Sequence, residues 1–154
     1  MATDCKNGYS GLAIADYLIK KCLDANIPVT NMAILKMVYF AHGLAYPQLG
    51  RKLIKDPFYK WPWGPVEVHT YEEFKKYGSR PIKLVSGKTD IEQIKQCPEL
   101  TSFLDSLIPL AKVSPFVLSE KSHVKGGPWD VARFFDVIDN KTIETFFYGR
   151  YAKP

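Results

Sequence analysis

Three Xaa-Pro steps constrain this chain more than any other feature: Gly64-Pro65, Ser114-Pro115 and Gly127-Pro128. In each, a residue suited to the N-cap precedes a proline whose fixed φ and missing N–H suit the first helical position. Deeper in a helix, a proline removes a hydrogen bond and clashes with the preceding turn. Three such starts in 154 residues therefore predict short, tightly turned helices. The firmest reading is a helix over 65–77. Gly64 would cap it and Pro65 would open it. Glu67, Glu72 and Glu73 lie nearer its start and Lys75 and Lys76 near its end, matching the helix macrodipole. Gly78 supplies a left-handed stop.

The other elements follow from periodicity. Ser10 predicts the cap of a helix over 11–25, with Leu12, Ala15, Leu18, Ile19 and Cys22 at three- and four-residue steps. Asn26 and Pro28 end it. Thr30 caps a second helix to about residue 46, striped by Ile34, Met37, Val38, Ala41 and Ala45 and stopped by Pro47 and Gly50. A helix, a four-residue turn and a helix is also the outline of a DNA-reading helix-turn-helix. The second helix argues against it, because its exposed positions offer just Asn31, Lys36 and His42. It reads as a central core helix. Between Leu53 and Trp63, loose alternation with Pro57 and Pro62 predicts one or two short edge strands or an extended loop. Residues 80–85, with Ile82 and Leu84, form a candidate partner strand, followed by a turn at Ser86-Gly87-Lys88.

In the C-terminal half, Pro98 opens a helix carrying Leu100, Phe103, Leu104, Leu107 and Ile108, which Pro109 kinks or ends. Helices over 115–123 and 128–135 follow. Asn140 caps a last one with Ile143, Phe146 and Phe147 on one face. The expected fold is mainly α (α+β): one compact helical bundle over 1–154, with a small β-hairpin or extended edge after the second helix.

The composition, 46% hydrophobic and 14% aromatic, excludes disorder. No apolar run approaches the ~20 residues that span a bilayer, and the segment from Met1 to Gly8 has no hydrophobic core of a secretory signal. Cys5, Cys22 and Cys97 lack metal-type spacing and read as reduced thiols of a cytoplasmic protein. The net charge of +5 favours acidic partners, nucleic acid included. Yet Lys and Arg are scattered in blocks of at most two, the pattern of a mixed, solvated surface.

Candidate sites are few. His42, His69 and His123 form no pair at ligand spacing, so no metal is expected. Ser119, Glu120, Ser122 and His123 offer a nucleophile and a base within five residues. Ser119 and His123 stand one helical turn apart, and either would rather tie this helix to the loop at 124–128. No catalytic residue is assigned. Gly126-Gly127 is too short for a phosphate loop, and no cofactor is expected. The tryptophans carry more. Trp129 reads as a core plug whose entry Pro128 fixes. For Trp61 and Trp63, alternation would turn one inward and leave the other as an interface anchor. Arg51, Lys52, Lys55 and Lys60 would steer an acidic partner to the loop at 51–63, with Tyr59 beside the anchor. In the tail, Phe146 and Phe147 complete the core while the rest frays, or Tyr148, Arg150 and Tyr151 give a second contact to protein or nucleic acid.

Two motifs also resemble a known family. Leu35-Lys36-Met37-Val38-Tyr39-Phe40-Ala41-His42-Gly43, then Trp61-Pro62-Trp63-Gly64-Pro65-Val66 and Phe74-Lys75-Lys76-Tyr77-Gly78, looks like the opening signature of the Panacea antitoxin domain. That domain occurs in SocA-like and GepA-like proteins of bacterial and phage genomes. Downstream, Leu118-Ser119-Glu120-Lys121-Ser122-His123 and Gly127-Pro128-Trp129 match the family's Leu-Ser…Thr-His step ahead of a Pro-Trp. Ser122 stands where the family has Thr, and Pro62 is an extra residue in the first motif. The resemblance covers about 9–150 and marks Tyr39, Gly43, Gly64, Pro65, Ser119, His123, Pro128 and Trp129 as motif positions. It implies a non-enzymatic antitoxin that neutralises a cognate toxin by direct binding, or delivers it to a protease as an adaptor. A phage or mobile-element protein acting on host machinery or host defence fits the same scaffold. A nucleic-acid-binding regulator and a hydrolase using Ser119 and His123 are the competing classes. The expected partner is a protein, with weak or no binding to nucleic acid and none to membranes.

Overall fold

The computed structural model describes Cys5 and residues 8–151. Helix α1, Gly11–Asp24, begins where the Ser10 hydroxyl accepts the Ala13 N–H at 3.0 Å. Helix α2, Asn31–Leu49, begins the same way at Thr30. It is the axis of the molecule, packed by α1, by the sheet and by helices from the C-terminal half. Pro47 does not stop it. That proline lies in the last turn, where it forfeits one backbone bond, and the helix ends at Gly50 with φ +71°.

Because α2 is covered along most of its length, most of its polar residues are inside. Asn31, Lys36 and His42, expected on a solvent face, are all buried. His42 Nδ1 accepts the Ile54 N–H at 3.3 Å, which leaves the proton on Nε2 to donate to Asn140 Oδ1 at 2.9 Å. Burial pushes this imidazole down to about 4, so it is neutral at physiological pH. At Gly43 an added Cβ would collide with the Phe147 ring, which explains why α2 and the last helix approach so closely there.

The hairpin is present and its first strand falls inside the expected 53–63 stretch, but that strand is central rather than an edge, and its partners lie elsewhere than expected. Strand β1, Phe58–Trp61, is central in a three-stranded antiparallel sheet of order β2-β1-β3. Strand β2 is Gly64–Val66 and β3 is Val137–Ile138. The expected helix start at Gly64-Pro65 is therefore a strand. Trp61 pairs with Gly64 and Lys60 with Pro65. Lys60 exchanges its backbone bonds with the other neighbour, through the Asp136 carbonyl at 2.9 Å and the Phe135 N–H at 2.6 Å. The position opposite on β2 thus needs no donor, and a proline costs nothing there. Two residues, Phe135 and Asp136, oppose one on β1, the count of a β-bulge, with Phe135 at φ +68°. The segment 80–85 is no partner strand. It docks as a loop, with the Ile82 N–H donating to Val29 O at 2.8 Å and the Ile82 side chain buried.

Helix α3 is Val68–Phe74, capped by the Glu67 carboxylate and continued by one 3-10 turn, Lys75–Tyr77, to Gly78. Then come α4 (Glu92–Lys95), α5 (Pro98–Asp105), a 3-10 turn (Ile108–Lys112), α6 (Pro115–Ser122), α7 (Pro128–Val131) and α8 (Asn140–Tyr151). α7 is one turn rather than two, because the chain turns extended at Ala132 to enter the bulge. Asp139, not Asn140, opens α8. Its Oδ1 accepts the Lys141 N–H at 3.3 Å, and its carbonyl accepts that of Ile143. The helix holds to Tyr151, whose ring stacks on Phe147 at 5.3 Å. The tail residues beyond it lie outside the described residues. The architecture is mainly α with a small antiparallel sheet.

Cys5 and Cys97 are joined in a disulfide, which corrects the reading of three reduced thiols. The two lie 92 positions apart, and no spacing rule shows that the chain brings them together. Cys22 is a free, buried thiol whose pKa burial raises. Among the described residues, no single helix is long and apolar enough to cross a membrane.

Candidate functional site

Of the motif residues, Gly64, Pro65, His123 and Trp129 gather around the β1–β2 turn, Pro62-Trp63, whereas Tyr39 and Gly43 pack in the core against Phe147. Gly64, at φ +135°, admits the chain reversal, and a Cβ there would collide with the Lys36 ammonium. From inside the core, Lys36 Nζ donates to the Trp63 carbonyl. Burial pushes this lysine down to about 8. The turn is thus pinned from below by a side chain on the central helix.

Above the pin is an aromatic cluster. The Trp61 ring lies 5.5 Å from Trp63 and 4.9 Å from Tyr71, and Trp63 lies 6.4 Å from Tyr71. Trp61 is half-buried, and Trp63 is 42% exposed. The expected split of one ring inward and one outward does not occur. Strand alternation ends at Trp61, and the two-residue turn brings Trp63 back beside it.

Lys60 faces the other side of β1 and is buried, contrary to its expected role as a steering charge. Its Nζ donates to the Asp130 and Ala132 carbonyls, each at 3.1 Å. It also lies 4.3 Å from the ring centroids of Trp129 and Phe134. Trp129 is half-buried behind the buried Pro128. Its Nε1–H donates to the Trp61 carbonyl at 2.9 Å, and its ring stacks on His123 at 3.9 Å, 5° from parallel. His123 is held below the usual imidazole value by burial and then by the Lys36 charge. Ser119 meets His123 through the backbone alone, its carbonyl accepting the His123 N–H at 3.0 Å. The imidazole is committed to the tryptophan stack, and no nucleophile–base pair is assembled from these two.

The other sequence-chosen residues do not form one surface with the turn. Arg51 is half-buried beside Glu99 at 3.7 Å. It shares a separate hollow with Gly8 and the exposed Lys52 and Lys55. Tyr59 lies inside the sheet, opposite Val66 and Val137. Tyr148 and Arg150 are exposed on α8, with the Arg150 guanidinium 5.7 Å from the Phe146 ring, while Tyr151 is half-buried.

What periodicity missed is a groove beside the turn, of about 540 Å³. Met32 and Leu35 of α2, Trp63, Tyr71, and Pro115 and Phe116 of α6 form its apolar walls. Phe116 is 74% exposed and Met32 38%. A signal was available: Phe116 lies off the helical step that joins the buried Leu118 and Ser122.

Asp56, Glu67 and His69 also bring ligand-type atoms within 4.8 Å of one another. Their oxygens are engaged as caps. Glu67 accepts the His69 and Thr70 N–H groups, the Thr70 hydroxyl and His69 Nδ1. Asp56 Oδ2 accepts the first N–H of α1, from Gly11, at 2.8 Å.

A family model described as Antitoxin SocA-like, Panacea domain, matches residues 34–130, from the pinning lysine's helix to the single turn of α7. Antitoxin SocA of Caulobacter vibrioides (strain NA1000 / CB15N) is 33% identical over 127 residues, spanning 77% of this chain and 68% of that protein. No solved structure matches.

Proposed function

We propose, given that this chain belongs to the SocA-like Panacea antitoxin family, that it is an antitoxin which neutralises a cognate toxin protein by holding it directly at the hairpin turn. One observation carries the reading: a tryptophan, Trp63, 42% exposed on a turn that a buried lysine pins from the core. Exposed aromatic anchors dominate protein-binding hot spots. An anchor already ordered in the free protein loses less conformational freedom when it docks. The role is non-catalytic, with His123 acting as packing for Trp129. Binding to nucleic acid is weak and lost near physiological salt, as expected where scattered surface cations supply the attraction. The proposed place of action is the cytoplasm.

The test is co-expression with the product of the adjoining reading frame. That product alone should arrest growth, and the wild-type chain should restore it. Trp63→Ala should leave the melting temperature nearly unchanged, because the lysine bonds the backbone carbonyl and not the ring. It should weaken toxin capture by about 30-fold or more, the effect of removing a central anchor. A folded Trp63→Ala protein that protects as well as the wild type would sink the reading.

A further inference from the structure

We infer that the Cys5–Cys97 disulfide is a reversible redox switch: a small thiol such as glutathione opens it by attacking Cys5, and Cys97 leaves as a thiolate held by the Arg51 guanidinium. The inference goes beyond the antitoxin reading and does not depend on it.

The two sulfurs stand in different surroundings. Cys5 is half-buried, whereas Cys97 has no exposed surface and belongs to the core. Thiol–disulfide exchange depends on access to the sulfur attacked and on the stability of the thiolate expelled. Access favours attack at Cys5, so Cys97 is the sulfur that must carry the negative charge away. Burial alone would penalise that charge. Two features offset the penalty. Arg51 Nη2 lies 3.9 Å from Cys97 Sγ, a contact to sulfur from a cationic donor. Cys97 is also the N-cap of α5, and in the disulfide its side chain makes no capping bond to that helix. Once released, the thiolate faces the positive end of the helix dipole. Glu99 draws on the same guanidinium at 3.7 Å, but its side chain is 63% exposed. Water therefore screens the carboxylate far more than the enclosed sulfur.

The exchange balances without another reactant. The first thiolate bonds to Cys5 Sγ and breaks the bond to Cys97, giving a mixed disulfide and the Cys97 thiolate. A second thiolate attacks the outer sulfur of the mixed disulfide and releases Cys5. Two small thiols become one small disulfide, and the protein gains two electrons and two protons. In reverse, the small disulfide is the oxidant that closes the bond.

The fold survives the opening. Tyr9, on the segment that carries Cys5, is buried and bonded to the chain after α2. Its N–H donates to Leu53 O at 2.8 Å, and its carbonyl accepts the Lys55 N–H at 2.9 Å. That docking outlasts the disulfide and lets the bond re-form. In the cytoplasm, the proposed place of action, disulfides are usually transient or redox-sensing. A purely structural one would resist the glutathione pool.

The test holds the oxidised, full-length protein in glutathione buffers of graded ratio, quenches with acid, and counts open and closed forms by mass. The bond should open at a cytosolic ratio and re-form at the more oxidising ratio of a secretory lumen, with the near-UV circular dichroism of the fold kept throughout. Glutathione trapped during opening should sit on Cys5, in tryptic peptide 1–6, and not on Cys97, in peptide 96–112. Arg51→Gln should slow the opening by about 10-fold and shift the equilibrium toward the disulfide by about 10-fold, or about 30 mV. Arg51→Lys, which keeps the charge, should recover part of both. Lys52→Gln, at the exposed position next to it, should alter neither. The mapping of trapped glutathione uses the wild type alone and stands even if an Arg51 variant folds poorly. Glutathione found on Cys97, a folded Arg51→Gln protein that opens as readily as the wild type, a bond closed at every cytosolic ratio, or a near-UV spectrum lost on opening would each overturn the inference.

Discussion

Lys36 has a titration consequence of its own. Its ammonium sits in the core under the Trp63 carbonyl, and burial pushes it down to about 8 from the 10.5 of a solvated lysine. Between those values the unfolded chain keeps a proton that the folded chain has released. Stability contributed at this site therefore rises as pH climbs from about 8 to 10.5 and is lowest below 8. Against Lys36→Met, the wild type should gain up to about 3 kcal/mol across that window, read from urea midpoints at several pH values. Parallel pH profiles for the two proteins would refute the assignment. The same residue shows where local reading stops. Lys36 and His42 looked exposed because they are polar residues between apolar stripes. Their burial depends on Trp63, 27 positions away, and Asn140, 98 away, and no helical period carries that information. Trp61 and Trp63 stood out as a pair because prolines and a glycine surround them, but which ring is the more exposed depends on the turn that brings Trp63 back beside Trp61. Lys60 was not legible as a buried cation, because its partners are the carbonyls of Asp130 in α7 and of Ala132 just after it, some 70 residues on.

At the scale of elements, helix starts separate what the chain states locally from what it does not. Ser10, Thr30 and Ser114 all cap the helices expected of them, since a short hydroxyl side chain reaches the free N–H groups of the first turn. Gly64-Pro65 misled because the same dipeptide suits a strand whose outward position needs no donor. The true start of α3 uses Glu67, an uncommon cap whose carboxylate reaches both the His69 and Thr70 N–H groups from a buried position. Glu67→Ala should thus cost more than an ordinary cap, roughly 2 kcal/mol, because the buried Thr70 hydroxyl also loses its acceptor. Thermal melting measures the loss. Amide exchange should place it in α3 and leave α1 and α2 protected. Strand β3 was invisible for a simpler reason. Two residues, Val137–Ile138, are too few for alternation to register, and their partner strand comes from the other half of the chain.

For the whole molecule, the mainly helical architecture with a small sheet was readable, because helical periodicity is local and was visible in four segments. The covalent closure was not. Joining Cys5 to Cys97 removes freedom from the unfolded chain across 92 positions. Reduction, or Cys5→Ser, should lower stability by roughly 2–4 kcal/mol, seen as a lower denaturant midpoint without reductant for the variant and with it for the wild type. The buried Cys22 should stay unreactive to thiol reagents until the fold opens. The closure also sets how the chain can leave its folded state. Drawn through a narrow pore from the side of α8, it passes in single file until Cys97 reaches the mouth. There it becomes a ring whose two sides must enter abreast. Drawn from the other side, it meets the same ring at Cys5. Threading halts in either direction while the sulfurs are joined, and resumes as one strand once they are reduced.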